Sequence, residues 1–477
     1  MSSTTKLSAR DRIATLLDDN SFVEIGALVT KRNTDFNLAQ TESPSDGVVT
    51  GYGLIDGSLV YVYSQDATVL NGTMGEMHAK KIAGLYDLAL KVGAPVIGLL
   101  DCAGMRLQEA TDALAGFGNV YLKQTMASGV IPQISVVFGT CGGGCAVSAA
   151  LSDFTFMAKD NAKLFVNSPN AIEGNYTGKC DSASASFQAA CGAVDVVKED
   201  EAEVLASVRA LVSFLPSNNE NDFATDCNDD LNRATDAFAA ECADPAVALA
   251  DLADGNDFFE IKADFAPEMV TGFLRFNGTT VGAVANRAEK LDENGKAVAK
   301  FDTVLTTAGC QKAEQFVKFC DAFGIPVLTL TNVTGYAASL CEEKTVAAAA
   351  AKLTYAFANA NVPKVNLVTG NAMGSAYITM NSKHIGADMV FALENAKIGM
   401  MDAGLAVQIM YTGLSDEDKK AKTAEYDSLQ SSALAAAKRG YVDNIIAADA
   451  ARQQLVYAFE MLDTKREARP SKKHGTK

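Results

Sequence analysis

Four stretches of the chain are apolar almost without interruption and rich in β-branched residues: 96–100, 134–138, 327–330 and 365–368. Runs that short and that continuous predict strands covered on both faces, the pattern of a parallel sheet. An amphipathic helical stretch precedes the first and third runs and ends in Gly-Ala-Pro or Gly-Ile-Pro, where glycine closes the helix and proline opens the next segment. A second helix follows each of these strands and leads to another proline-started run. A turn of small residues comes next, opening a helix of alanine, serine and glycine. Repeated strand, turn and helix units predict an α/β protein with a mainly parallel sheet and helices outside it.

The pattern is written twice. GAPVIGLLDCAGM from Gly93 overlies GIPVLTLTNVTGY from Gly324. At the same offset IPQISVVFGTCGGGCA from Ile131 overlies VPKVNLVTGNAMGSAY from Val362, pairing Pro132 with Pro363, Gly139 with Gly370 and Gly143 with Gly374. DFTF from Asp153 matches DMVF from Asp388 at a slightly larger offset, which implies a short insertion in the second half. Two duplicated domains follow, consistent with 477 residues being more than one core usually supports. Residues 216–244 are rich in Asn, Asp and Glu and poor in large apolar side chains, and read as a linker. The boundary falls near residue 245, giving domains 1–245 and 246–477.

Composition narrows the function classes. Hydrophobic residues are 48% and charged residues 21%, and no apolar run reaches the roughly 18 residues that would span a bilayer, so membrane insertion is not expected. The start, MSSTTKLSARDRIATLLDD, carries charges throughout and lacks the apolar core of a signal peptide, so a cytoplasmic protein is expected. A formal charge of −17 disfavours nucleic acid. The basic KREARPSKKHGTK at the C-terminus reads either as a solvated tail or as a local patch for a small anion. Ten cysteines lie singly with no C-x-x-C pair and read as small buried hydrophobes, and the three histidines are His78, His384 and His474. Neither a metal site nor a histidine-based triad is expected.

Chemistry concentrates at the two small-residue turns, Gly139-Thr-Cys-Gly-Gly-Gly-Cys145 and Gly370-Asn-Ala-Met-Gly-Ser-Ala376. Each lies between a strand and a helix start, where unpaired backbone N–H groups stabilise an oxygen that gains negative charge. Glycine lets a ligand approach the backbone; it also lets helix and strand pack closely, and a single cluster would not separate the two readings. Neither turn continues into the Lys-Ser/Thr of a phosphate loop. Arg106, in the segment after residues 96–100, either meets a phosphate or carboxylate of a ligand or pairs with Glu109. Glu109 itself reads as a solvated helix face in preference to a general base.

At these residues the chain resembles the carboxyltransferase subunits of biotin-dependent acyl-CoA carboxylases, the propionyl-CoA carboxylase beta-subunit family with its decarboxylase and transcarboxylase relatives. KLSARDRIATLLDDNSFVEI from Lys6, DGVVTGYG from Asp46, SQDATVLNGTMGEMHAKKI from Ser64 and ASGVIPQIS from Ala127 carry the resemblance in the first half. PKV from Pro363, SKHIGAD from Ser382, RGYVDNII from Arg439 and KKHG from Lys472 carry it in the second. The resemblance implies tandem crotonase-like domains and a ring-shaped hexamer of two trimers, with active sites where the first half of one subunit faces the second half of another. It implies that Gly143 and Gly144 hold the acyl-CoA thioester oxygen and that Ser375 and Ala376 hold the ureido oxygen of biotin. Gly142, Gly374, Ala103, Gly104, Arg106 and Ile378 would line the substrate and cofactor sites, with no metal.

The implied reaction needs few side chains, because two anionic oxygens rest on backbone donors. No A-M-K-M-type biotinylation site and no ATP-binding loop occurs in the chain, so biotin would arrive on a separate biotin carboxyl carrier protein, with biotin carboxylase or decarboxylase-complex subunits as further partners. Three departures stand out: Gly370 and Asn371 replace basic residues of the family's second turn, the run 347–351 is alanine where the family has a basic helix, and 167–188 loses most of the usual pattern. Ile378 stands where propionyl-preferring members have aspartate. Two other readings remain open: the alpha subunit of a sodium-pump-linked decarboxylase acting on methylmalonyl-CoA or glutaconyl-CoA, and a non-catalytic assembly subunit.

Overall fold

The computed structural model describes residues 6–33, 41–173, 181–221, 223–292, 294–472 and 475–476. Contacts divide the chain into two compact units, Met1–Phe223 and Ala224–Lys477, a division earlier in the chain than the one placed near residue 245. The acidic stretch is the reason: from residue 224 onward it is not a free linker but part of the second unit. Phe238 lies in the second unit's core, and the Thr235 amide donates to the Asp449 carbonyl at 3.0 Å. Its carboxylates are partners for buried arginines. Asp244 meets Arg287 at 2.8 Å and caps the helix Pro245–Leu252 by accepting from the Ala246 amide.

Each unit holds one main sheet, and the two sheets have the same order. In the first, the strands Val23–Ile25, Val48–Ile55, Ser58–Gln65, Val96–Cys102, Gln133–Gly142, Phe154–Ala158 and Val196–Lys198 lie side by side in chain order, and Lys163–Phe165 pairs with the far end of Gln133–Gly142. In the second, Phe259–Ile261, Met269–Phe276, Thr279–Asn286, Val327–Val333, Lys364–Met373, Met389–Leu393 and Asn444–Ile446 repeat that order, with Lys397–Gly399 paired to the far end of Lys364–Met373. The first three strands of each are antiparallel and the rest parallel, so the sheets are mixed. Every residue of Val96–Cys102 is buried, as a strand covered on both faces must be.

Shared polar contacts fix the duplicated register. The Asp153 carboxylate accepts from the Gln133 amide at 2.8 Å, and Asp388 accepts from the Lys364 amide at 2.8 Å. Asp195 accepts from the Thr155 amide at 2.6 Å, and Asp443 from the Val390 amide at 2.8 Å. Each aspartate thereby satisfies a donor at the start of a parallel strand that would otherwise be buried unpaired. Lys81 donates to the Ser45 carbonyl at 3.0 Å and to that of Val48, while Lys312 donates to the carbonyls of Lys262 and Phe265 at 2.7 and 2.9 Å. Burial lowers their pKa values to about 8 and about 7.

The hairpins turn at Asp56-Gly57 and Asn277-Gly278, all four residues having positive φ (48°, 79°, 49° and 76°), as a two-residue turn that preserves strand twist requires. A Cβ added to Gly57 would meet nothing within 4 Å, whereas one on Gly278 would lie 1.7 Å from the Thr225 carbonyl oxygen. Gly57→Ala should therefore carry only the left-handed penalty of about 1–2 kcal/mol, while Gly278→Ala must also displace backbone. The expected result in thermal unfolding is a clearly larger drop in melting temperature for Gly278→Ala than for Gly57→Ala.

Candidate active site

The segments expected as turns are mostly strand. Gln133–Gly142 and Lys364–Met373 run past their apolar cores because short strands pair with their far ends, Cys141 opposite Leu164 and Ala372 opposite Ile398. The register with the preceding strand shifts at matching places, between Leu100 and Cys102 and between Thr331 and Val333. At the shift, a Cβ on Gly139 would lie 2.0 Å from Asp101 Oδ1, and one on Gly370 would lie 2.6 Å from Asn332 Oδ1. These two glycines make room for a side chain on the neighbouring strand. Gln65 Oε1 accepts from the Asp101 amide at 3.2 Å, and Asn286 Oδ1 accepts from the Asn332 amide at 3.2 Å.

The change from strand to helix occurs at Gly143 (φ 58°) and Gly374 (φ 62°), a conformation that glycine adopts without penalty. Gly143 is not available as an anion donor. Its N–H already donates to the Phe165 carbonyl at 2.9 Å, because the pairing with Lys163–Phe165 extends one residue past the strand. The helices Gly144–Ala150 and Gly374–Thr379 begin here. The amides of Gly144 and Cys145 in the first unit, and of Ser375 and Ala376 in the second, sit in the first helical turn with no hydrogen-bond partner among the described residues. The two pairs stand at the offset that matches Gly143 with Gly374, and the first pair lies one residue beyond the expected Gly143 and Gly144.

Other side chains hold the first junction. Tyr121 donates its O–H to the Gly144 carbonyl at 2.6 Å. A Cβ at Gly144 would lie 2.9 Å from that hydroxyl and 3.0 Å from the Phe117 ring, so a larger residue would have to push Tyr121 and Phe117 aside. The loop after Val96–Cys102 comes alongside: a Cβ on Gly104 (φ 118°) would be 3.5 Å from the Gly142 carbonyl, and Ala103 is exposed beside it. Ala103, Gly104, Gly142, Gly143 and Gly144 are thus brought together. Sequence reasoning missed Tyr121, Gln65 and Asn286. The Asp-Gly and Asn-Gly hairpins that place the latter two were readable signals.

Arg106 is not a ligand-facing cation. It is 1% exposed, pairs with Asp46 at 2.8 Å and Glu109 at 2.7 Å, and donates to the Thr73 carbonyl at 2.8 Å. Glu109 is neither base nor solvated face: it is buried and accepts from the Glu76 amide at 2.6 Å, at the start of the helix Glu76–Val92. Burial raises the Asp46 pKa despite the opposing pull of Arg106. Behind this cluster His78 is fully buried, and its pKa falls to about 3 because desolvation disfavours the charged ring. A neutral ring must donate from Nδ1 to the Asp46 carbonyl at 3.0 Å and accept at Nε2 from Gln65 at 3.2 Å.

In the second unit Ile378 is 39% exposed, one residue before Thr379 on the helix that carries Ser375 and Ala376. Ala347, Ala348 and Ala351 are exposed on the helix Val346–Asn359, with Lys352 exposed beside them. Cys102, Cys141, Cys145, Cys310 and Cys320 are buried as expected, but Cys191 and Cys341 are exposed. His474, with Lys473 of the KKHG motif, and residues 174–180 of the divergent stretch lie outside the described residues. An open cleft elsewhere in the first unit, lined by residues including Lys6, Phe138 and Glu201, contains none of the predicted site residues.

The carboxyl transferase domain model matches residues 2–476 of the chain. The propionyl-CoA carboxylase beta chain of Roseobacter denitrificans is 40% identical over 98% of this chain and 93% of its own. The methylmalonyl-CoA decarboxylase subunit alpha of Propionigenium modestum is 38% identical, again over 98% and 93%. The structure of the transcarboxylase 12S hexamer, with hydrolysed methylmalonyl-coenzyme A bound, superposes with a TM-score of 0.92 at 35% identity, covering 99% of this chain and 92% of that one.

Two outcomes follow from the buried cluster. Arg106→Ala should destabilise the first unit by about 3–5 kcal/mol, because Asp46 and Glu109 would remain buried without a counter-charge; denaturant unfolding measures it. Since an unfolded histidine binds a proton below about pH 6.5 and folded His78 does so only near 3, this group's contribution to stability is complete above about pH 6.5 and is lost as pH falls toward 3. The His78 ring resonances should accordingly show no titration between pH 5 and 8.

Proposed function

The chain belongs to the carboxyl transferase family, and from that premise we propose that it moves a carboxyl group between carboxybiotin on a separate carrier protein and the α-carbon of a short acyl-CoA. The observation that carries this reading is the pair of matching strand-to-helix junctions, each with two unpartnered first-turn amides. Backbone donors held by a strand on one side and a helix on the other need no reorganisation when charge develops, which is what stabilising an enolate or a ureido anion requires. Biotin, when bound, supplies the transferable carboxyl group and a ureido anion. The chain's own contribution is to hold the two oxygens: Gly144 and Cys145 the thioester oxygen, Ser375 and Ala376 the ureido oxygen. The first unit then serves acyl-CoA, with Ala103, Gly104 and Gly142 beside the thioester. The second serves biotin, with Gly374 as the hinge and Ile378 nearby.

The assembly we propose is a ring-shaped hexamer, supported by the hexamer of transcarboxylase 12S, in which the first unit of one subunit faces the second unit of another. Its partners are a biotin carboxyl carrier protein together with biotin carboxylase or decarboxylase subunits, in the cytoplasm. No helix among the described residues is long and apolar enough to cross a membrane. The decarboxylase relative favours a second direction for the same site: because the donors stabilise the same anions whichever way the carboxyl group moves, methylmalonyl-CoA decarboxylation would use identical groups.

The purified chain, given free biotin and malonyl-CoA or methylmalonyl-CoA, should form carboxybiotin and release acetyl-CoA or propionyl-CoA. Inactivity with every acyl-CoA tried would contradict the reading. Ser375→Pro removes one amide hydrogen at a first-turn position where proline is tolerated, and kcat should fall by about 10²–10³-fold. An unchanged kcat would remove Ser375 from the donor set.

A further inference from the structure

Tyr121 lies on the helix Ala110–Ala127 and donates its hydroxyl hydrogen to the Gly144 carbonyl at 2.6 Å. The direction of that bond is fixed, because a carbonyl can only accept. It is the one hydrogen bond the hydroxyl makes among the described residues, so its hydrogen is committed there. Burial raises the phenol's pKa above its ordinary value, which keeps the hydroxyl protonated, and a donor, at neutral pH. The edge of the Phe117 ring, one turn earlier on the same helix, packs against the tyrosine ring with centroids 6.1 Å apart.

The Gly144 carbonyl and the Cys145 N–H belong to one peptide group. That group is planar and trans, so its C=O and N–H point in opposite directions and share one delocalised electron system. A hydrogen bond at the oxygen therefore acts on the nitrogen in two ways. It fixes the plane, and with it the line along which the N–H points. It also draws electron density toward the oxygen, which leaves the N–H a stronger donor; hydrogen bonds in series strengthen one another by about 10–30% each. The Cys145 N–H is one of the two unpartnered amides at the first junction, so Tyr121 acts on a donor that it does not touch.

At the offset that pairs Gly143 with Gly374, the equivalent peptide joins Ser375 to Ala376, and the counterpart of Tyr121 is Lys352, which is exposed. Thr379 Oγ1 lies 3.2 Å from the Ser375 carbonyl but also 3.0 Å from Thr354 Oγ1, with one hydrogen for both. Of the two junctions, the first has a hydroxyl committed to the peptide that carries its second donor.

Resting on the carboxyl-transfer reading, we propose that Tyr121 is a positioning residue for carboxyl transfer: by donating to the Gly144 carbonyl it aims and strengthens the Cys145 N–H that receives the thioester oxygen. Tyr121→Phe keeps the ring and removes the hydroxyl. The strengthening acts on charge that develops in the transition state, so the chemical step should respond and ground-state binding should not. In single-turnover carboxylation of free biotin the rate should fall roughly two- to eightfold, a tenth to a third of the logarithmic loss that follows removal of the donor itself, with KM for the acyl-CoA and for biotin unchanged. A tyrosine fluorinated next to its hydroxyl is a stronger donor, and placed at position 121 it should raise the rate above that of the unmodified protein, which a change in packing alone would not do. An active wild-type chain whose Tyr121→Phe variant keeps its rate, or loses only affinity for the acyl-CoA, overturns the inference alone. So does a fluorinated protein no faster than the unmodified one. A wild-type chain inactive with every acyl-CoA overturns the carboxyl-transfer reading and this inference with it.

Discussion

At Gly143 and Gly374 the backbone leaves a strand whose hydrogen bonds are made and enters a helix whose first amides have no partner. A positive φ is the condition for that change of direction within one residue, and it is the constraint from which the rest of each junction follows. The strand before it must be held to its last residue, or the hinge would not be placed. Lys163–Phe165 and Lys397–Gly399 supply that hold. The helix after it must start at once, or its amides would be lost to a loop. Tyr121 closes on the Gly144 carbonyl in the first unit, and the Tyr336–Thr379–Thr354 hydroxyls brace the corresponding helix in the second.

The two units meet this common constraint with different side chains. In the first, the loop after the central strand is anchored from below by a fully buried charge cluster, Arg106 with Asp46 and Glu109, and by neutral His78 with Gln65. In the second, the corresponding place carries asparagines: Asn332 is bonded through its own amide to Asn286 and accepts from the Asn371 amide at 2.9 Å. A duplicated backbone with divergent supporting side chains suits two ligands that share an anionic oxygen and differ in what surrounds it.

Much of this was legible in the chain. The offset that pairs Gly93 with Gly324 survives in the structure because it spans the central strands, whose length and spacing the sheet fixes; Gly143 and Gly374 kept their pairing for that reason. The hairpins escaped notice because they repeat at a shorter offset, Val48–Ile55 with Met269–Phe276, so a single comparison passes over them. The acidic stretch misled because composition cannot distinguish solvated carboxylates from ones that neutralise buried arginines such as Arg287 and Arg452. Arg106 shows the same limit at one residue: its two readings differ only in tertiary contacts. The one-residue offset between the expected pair, Gly143 and Gly144, and the unpartnered pair, Gly144 and Cys145, was invisible for a further reason, since whether an amide is free depends on a strand, Lys163–Phe165, that lies beyond the next helix and strand in the chain.

Free main-chain amides at matched junctions, as the groups that receive an anionic oxygen, are the centre of this account. A crystal structure of the protein with a non-hydrolysable acyl-CoA bound tests it most directly. The account predicts the thioester oxygen within about 3 Å of the Gly144 and Cys145 nitrogens, with the Gly143 amide still on the Phe165 carbonyl. A thioester seated away from that helix start, or a Gly143 amide released from Phe165 to take the oxygen instead, would contradict it.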